Sequence, residues 1–337
     1  MPRILPPHPA AWTGDELLRR EDWSVDLSAN DIEELRAALR ATQDRAMENI
    51  AAEDFPLPGL GDRLRKIQHD LEHGSGAVML RGFPVSEFSE DEARRIFWGL
   101  SRHVGTPVSQ SAAGERMFAV RDAGFGDQDP RSRGPNTNKK LSFHTDRCDV
   151  IGFLCWRQAI SGGDNEVVSS MALYQEIQGR RPDLLEVLCQ PFVYKRHTVD
   201  GGNERGFCRQ PIFGFQDGHF ACAFLRVLID RADADPDLPN LTPEQREAMD
   251  FLEEVAADPD LHVRFRQGPG DILFLNNWVT LHRRTAFEDH VDPEKKRCLF
   301  RLWLSVPNSR PLDPQFAENY GATEAGAIRG GMKAAEG

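Results

Sequence analysis

Leu141-Ser-Phe-His-Thr-Asp-Arg147 places a histidine and an aspartate two residues apart, His144 and Asp146. A second stretch far downstream, Asn276-Asn-Trp-Val-Thr-Leu-His-Arg-Arg-Thr-Ala-Phe287, supplies a third candidate ligand, His282. Two imidazoles and one carboxylate are the ligand set of a facial-triad iron site, which leaves metal positions open on the opposite side. Residues two apart on a strand project to one face, so a strand over 141–146 would present His144 and Asp146 together and turn Thr145 away. Bringing a distant histidine to the same point requires remote strands to converge, as in an antiparallel barrel. A His-x-Asp tripeptide alone arises often by chance and equally describes a surface pair. The decision therefore rests on what surrounds His282.

Gly268-Pro-Gly-Asp271 reads as a tight turn, followed by the apolar run Ile272-Leu-Phe-Leu275, a strand that leads the histidine into an interior. After a polar loop (288–296) comes Arg297-Cys-Leu-Phe-Arg-Leu-Trp-Leu-Ser305. On a strand, Cys298, Phe300, Leu302 and Leu304 share a wholly apolar face that must be buried. Arg297, Leu299, Arg301 and Trp303 share the other. That second face is either solvent-exposed or the lining of a barrel. If it lines a barrel, its guanidinium groups need anions, because an unpaired buried charge is very costly. Arginine also grips a carboxylate through two parallel hydrogen bonds. Arg297 and Arg301 lie roughly 13 Å apart along a strand. They could hold two groups, or one anion and one internal salt bridge.

The chain has 337 residues, 40% of them hydrophobic, enough for one large core with elaborations. Its net charge of −12, without basic runs, argues against nucleic acid or an anionic membrane as partner. The six cysteines (148, 155, 189, 208, 222 and 298) form no CxxC pair and read as reduced core residues of a cytoplasmic protein. No apolar run is long enough to span a bilayer, and no signal segment opens the chain. The expected partner is a small molecule; self-association is left open.

Residues 1–74 read as an irregular and helical lead-in packed on the core. Asn30 with Glu33 forms a candidate capping box for a helix with Ile32, Leu35 and Leu39 inside, and a second helix covers 62–73. After a strand at 77–83 and a helix capped by Ser89 and Glu92, the text becomes mainly β over 75–320. Candidate strands are 117–121, 141–146, 150–156, 165–170, 191–196, 211–215, 219–224, 261–266, 271–276 and 297–305. Helical interruptions fall at 171–188 and from Thr242 to about 257. Residues 321–337, small and rich in Gly and Ala, are expected to be a flexible tail. The polar segment 122–140 is a candidate lid before the metal motif. This pattern reads as α+β, built around a barrel or sandwich.

The motifs Phe143-His-Thr-Asp146, Ser161-Gly-Gly-Asp164, Ser169-Ser-Met-Ala-Leu-Tyr174, Pro269-Gly-Asp271, Asn276-Asn277 with His282, and Ala286-Phe-Glu-Asp289 occur in order before the arginine strand. Gly76-Ala-Val-Met-Leu-Arg-Gly-Phe83 and Val104-Gly-Thr-Pro-Val-Ser-Gln110 precede them. Together they resemble the TauD/TfdA-like Fe(II)/2-oxoglutarate dioxygenases, the group that includes taurine dioxygenase and clavaminate synthase, over most of 75–310. The resemblance implies a double-stranded β-helix (jelly-roll) core with flanking helices. It implies Fe(II), 2-oxoglutarate and O2, with His144, Asp146 and His282 as catalytic iron ligands and Arg297 on the distal carboxylate of 2-oxoglutarate. Relatives often carry a threonine where this chain has Asn165, whose amide can donate the same bond to the cosubstrate. Arg301, Asn136, Asn138 and Arg121 are candidate substrate contacts, and Asn276 and Asn277 candidate supports of the ligands.

The implied activity is hydroxylation of an unactivated C–H bond in a small polar substrate, an amino acid or natural-product intermediate, with release of succinate and CO2. The same site could instead perform desaturation or oxidative cyclisation. The readings from other classes are a non-catalytic jelly-roll binding protein and a cupin-type enzyme of another metal, which has no use for Arg297 opposite the ion.

Overall fold

The computed structural model describes residues 3–125 and 134–333. Ten strands position the site: β1 (Ser24–Asp26), β2 (Ala77–Arg81), β3 (Thr106–Val108), β4 (Met117–Val120), β5 (Val150–Arg157), β6 (Asn165–Ser169), β7 (His262–Phe265), β8 (Ile272–Asn276), β9 (Thr280–Arg284) and β10 (Cys298–Ser305). They form a seven-stranded sheet, ordered β1-β2-β8-β5-β10-β3 with β4 also on β10, and a three-stranded sheet β7-β6-β9. Only the β1–β2 pairing is parallel in these two sheets. The fold is mixed α/β with one large sheet.

The period-two reading of β10 explains its place. Cys298, Phe300, Leu302 and Leu304 enter a core with Phe274 and Ile272 of β8 and with helices Leu60–His73 and Glu90–Arg102. The alternate residue Trp303 packs with Ile151, Leu273 and Leu275 between the sheets. Both faces are therefore buried, and the arginine face is not a solvent face. A separate core under β9 gathers Leu281 and Val279 with helices Ser170–Arg180, Pro182–Leu188 and Pro243–Ala256.

Three local expectations change. The helix Ala29–Ala41 is capped by Ser28, not Asn30: the Ser28 hydroxyl accepts from Asp31 N, and Asp31 Oδ2 accepts from Ser28 N at 2.7 Å. The apolar stripe fixes the helix phase but tolerates a cap two residues earlier, with aspartate closing the box. Residues 141–146 are not a strand. His144 makes one isolated bridge to His282, and Thr145 N then leaves the ladder to donate to Phe224 O at 2.8 Å. The tail is not free through residue 333. The Arg329 side chain is fully buried and donates to Asp149 Oδ1 at 2.6 Å, while Gly331 N donates to Arg147 O at 2.7 Å. Gly330 makes this return possible: its φ is +77°, and a Cβ there would meet Arg147 O at 2.5 Å. Residues 334–337 lie outside the described residues.

Candidate active site

The two histidines are joined through their own backbones. His144 N donates to His282 O and His282 N to His144 O, each at 3.0 Å, so the link that replaces the expected strand sets their side chains beside each other. Their rings lie 4.4 Å apart between centroids. Asp146 follows two residues past the bridging His144; its N–H donates to Asn277 Oδ1 at 3.0 Å, which fixes the turn. One ligand atom from each of His144, Asp146 and His282 lies within 4.8 Å of the others.

Electrostatics favour the metal-binding forms. Burial pushes the His282 imidazole down to about 3, and neighbouring His144 adds to the effect, so this ring is neutral near pH 7. For Asp146, burial raises the carboxyl's pKa, but Arg301 and the two histidines outweigh it and hold the group below the usual carboxylate range. Arg301 Nη1 lies 3.2 Å from Asp146 Oδ2, and its Nε donates to Gln110 Oε1 at 2.7 Å. His144 Nδ1 lies 2.8 Å from Ser142 O; the tautomer that donates there leaves Nε2 as a lone-pair donor. Two nitrogens and one carboxylate oxygen suit a first-row divalent ion. The buried His282 Nδ1 has no hydrogen-bond partner among the described residues.

A cavity of about 610 Å³ opens over the triad. Just before β10, Arg297 is 1% exposed, with Nε donating to Gln158 Oε1 at 3.0 Å and Nη1 without a partner among the described residues. Arg284, 5% exposed, lines the same cavity. Both guanidiniums lie over the Phe287 ring, at 5.1 and 4.8 Å from its centroid, and neither has an acidic partner at ion-pair distance among the described residues. Burial, reinforced by Arg297, pushes Arg284 down to about 9, a measure of the pressure for an anion between them. Asn165 lies directly across the β6–β9 ladder from Arg284 and lines the cavity, with its Nδ2 turned to Gln267 Oε1 at 3.4 Å.

Of the sequence-derived residues, His144, Asp146, His282, Arg297, Asn165 and Arg301 all line this cavity. Asn136, Asn138 and Arg121 are not among its lining residues, although Gly134, Pro135 and Lys140 of the same polar segment are. Asn138 instead uses its carbonyl to accept from Phe287 N, and Asn136 its carbonyl from Ala123 N. The centre of the candidate lid, 126–133, lies outside the described residues. Asn276 bonds to Leu71 O and Glu72 and supports the fold from behind. Arg284 was not singled out from sequence, yet its position two residues past His282 on β9 carried the signal. Gln158 and Asp200 had no local pattern to mark them, and nothing in the stretches that end on Gln110 and Arg147 set those two side chains apart.

A sequence model of the family described as "Taurine catabolism dioxygenase TauD, TfdA family" matches residues 32–303. The chain is 32% identical over 337 residues to FR-33289 synthase of Streptomyces rubellomurinus, covering 97% of this chain and 95% of that protein. Among solved structures, it superposes on asparagine oxygenase in complex with Fe(II), 2S,3S-3-hydroxyasparagine and succinate with a TM-score of 0.66 at 17% identity, covering 84% of this chain and 93% of that one. The non-heme iron oxygenase OrfP in complex with Fe, succinate and (3S)-hydroxy-L-Arg gives 0.61 at 15% identity, covering 84% and 94%.

Proposed function

The chain belongs to the TauD/TfdA dioxygenase family, and from that premise we propose that His144, Asp146 and His282 hold Fe(II) and that Arg297 anchors 2-oxoglutarate. The activity is hydroxylation of an unactivated C–H bond in a small polar molecule of the amino-acid type. One observation carries the reading: three side chains remote in sequence offer one ligand atom each within 4.8 Å, at the floor of a cavity with an unneutralised Arg297. The large and small sheets, packed on each other through Trp303, Ile151 and Leu273 on one side and Val167 and Val263 on the other, are read as the two sheets of a jelly roll.

Iron bound there together with 2-oxoglutarate supplies the oxidising chemistry, with succinate and CO2 as co-products. The residues of the chain bind and orient. Arg301 keeps Asp146 charged and aimed at the ion site. Asn277 fixes the Asp146 backbone. Burial keeps His282 neutral, as a ligand must be. Arg297 and Arg284 offer two guanidiniums to a dicarboxylate end, and Asn165 stands where a further donor could serve it. Phe153, Leu299 and Trp303 line the cavity between these polar groups and exclude water from them. A metal site of the cupin-hydrolase type gives no account of two buried arginines without carboxylates, and a non-catalytic binding shell gives none of an intact triad beneath them. All six cysteines are free, five of them buried, which fits a reducing, cytoplasmic setting.

The amino-acid resemblance comes from the solved structures, whose names carry hydroxyasparagine and hydroxy-L-Arg. The test is a screen of amino acids for stimulated succinate release in the presence of Fe(II), 2-oxoglutarate and O2. Release stimulated by at least one candidate and abolished by a chelator is expected. Folded protein that yields no succinate, stimulated or unstimulated, contradicts the reading.

A further inference from the structure

We propose that Arg147 and Arg196 form a binding site for an oxyanionic group of the substrate, separate from the Arg297 site. This rests on the oxygenase reading only for the word substrate; the anion site itself stands on the geometry. Both arginines line the cavity over the triad, and neither belongs to the strands that carry Arg284 and Arg297. Arg147 directly follows the ligand Asp146, whereas Arg196 lies just past the strand Phe192–Lys195.

The two guanidiniums share one carboxylate. Asp200 Oδ1 accepts from Arg147 Nη2 at 2.8 Å, and Oδ2 from Arg147 Nη1 at 2.8 Å and Arg196 Nη1 at 3.2 Å. Asn203 Nδ2 completes Oδ1 at 2.8 Å, so Asp200 is saturated. Its carboxyl is desolvated, yet the two arginines hold it below its ordinary range, so it stays charged. One negative charge therefore faces two positive ones. Side-chain exposures are 12% for Arg147, 8% for Arg196 and 3% for Asp200, so solvent does not screen the remainder. Their other partners among the described residues are neutral: Asn319 Oδ1 for Arg147 and Glu318 O for Arg196. The Glu318 carboxylate is turned to Arg205 and to Arg209 N. Nε of both arginines is buried without a partner among the described residues.

An excess buried cation on a cavity wall calls for a counter-anion, because uncompensated buried charge is costly. The chain carries a net charge of −12, yet basic side chains outnumber acidic ones along this cavity. Such a wall draws anions inward. The chemistry that fits is a compact oxyanion, the carboxylate of an amino acid or a phosphate-type group. A cationic group fits poorly, since the one carboxylate has no lone pair to spare. Bound there, the anion would fix the substrate by one end beside the ion site and leave its chain to reach His144 and Asp146.

The test uses metal-free protein and does not depend on turnover. Inorganic phosphate and acetate are titrated calorimetrically, with acetamide as the neutral control, into an Arg297→Ala background, which removes the cosubstrate arginine, alone and combined with Arg196→Gln or Arg196→Lys, with melting curves for each. Arg196→Gln should weaken oxyanion binding about tenfold or more, in line with loss of one charged hydrogen bond. Arg196→Lys, which keeps the charge, should lose less. The tighter of phosphate and acetate names the substrate's anion. No oxyanion binding in the Arg297→Ala background, or binding there that Arg196→Gln leaves unchanged, overturns the proposal, as does acetamide binding as well as acetate. If Arg196→Gln unfolds, Arg196→Lys decides: loss of binding as complete as that caused by unfolding, in a folded Lys variant, contradicts a charge-based site. Oxyanion binding without any succinate release would sink the oxygenase reading and leave this site standing.

Discussion

Arg297 and Arg301 stand four residues apart at the two ends of one stretch of chain, and they keep opposite company. Arg301 is spoken for: Asp146 and Gln110 take its guanidinium, and its charge is offset inside the protein. Arg297 has a neutral glutamine, an aromatic ring and an empty-handed Nη1, with the equally unneutralised Arg284 beside it. The same residue type at the same spacing thus serves two ends of one cavity. One end is internally neutralised and orients the carboxylate proposed to hold the metal. The other is left positive, which is the ground for proposing that an outside anion completes it. A buried charge left without its partner is a binding site held ready, whereas a paired one is structure.

The comparison can be broken at either end. The largest effect should come from the metal end: His282→Ala removes one ligand, and substrate-stimulated succinate release should fall to background while circular dichroism shows the fold retained. Next comes Arg297→Ala, which should weaken 2-oxoglutarate about 10- to 100-fold, the worth of one or two charged hydrogen bonds, read as a rise in the apparent KM for 2-oxoglutarate. Unchanged KM would move the cosubstrate elsewhere. Arg301→Gln should act differently, through Asp146. Burial then raises that carboxyl without the opposing guanidinium, so protons compete with the metal at higher pH. Because a depressed carboxyl favours the charged form until pH falls through its own pKa, the variant should lose Fe(II) affinity at a higher pH than the wild type as pH is lowered from neutral. Equilibrium dialysis over a descending pH series checks this. The smallest effect is expected for Asn165→Thr, about threefold or less on the 2-oxoglutarate KM, since Arg284 already faces that end of the cavity. A large gain would show Asn165 to be a true deficit.

The strand Cys298–Ser305 was legible because alternation has only two faces, and one of them was wholly apolar. The stretch Leu141–Asp146 was less so. Its alternation suggested a strand, but one backbone bridge and the contacts of Thr145 with Phe224 do the work instead, and those partners are remote in sequence. Arg329 shows the same limit. A Gly- and Ala-rich ending reads as a free tail, and only the fold reveals the buried Asp149 that holds it. The triad was readable because its ligand types are few and chemically selective. Arg147, Arg196 and Asp200 were not, since arginines and aspartates are common, and only tertiary packing distinguishes a buried pair from a solvated one.

The account turns on one ferrous ion held by His144, Asp146 and His282 with 2-oxoglutarate beside it. Anaerobic addition of Fe(II) and then 2-oxoglutarate, followed by visible absorption, tests this most directly. Wild type should develop a charge-transfer band that requires both additions, and His282→Ala should not. A folded wild-type protein with no such band, or a band undiminished in His282→Ala, would contradict it.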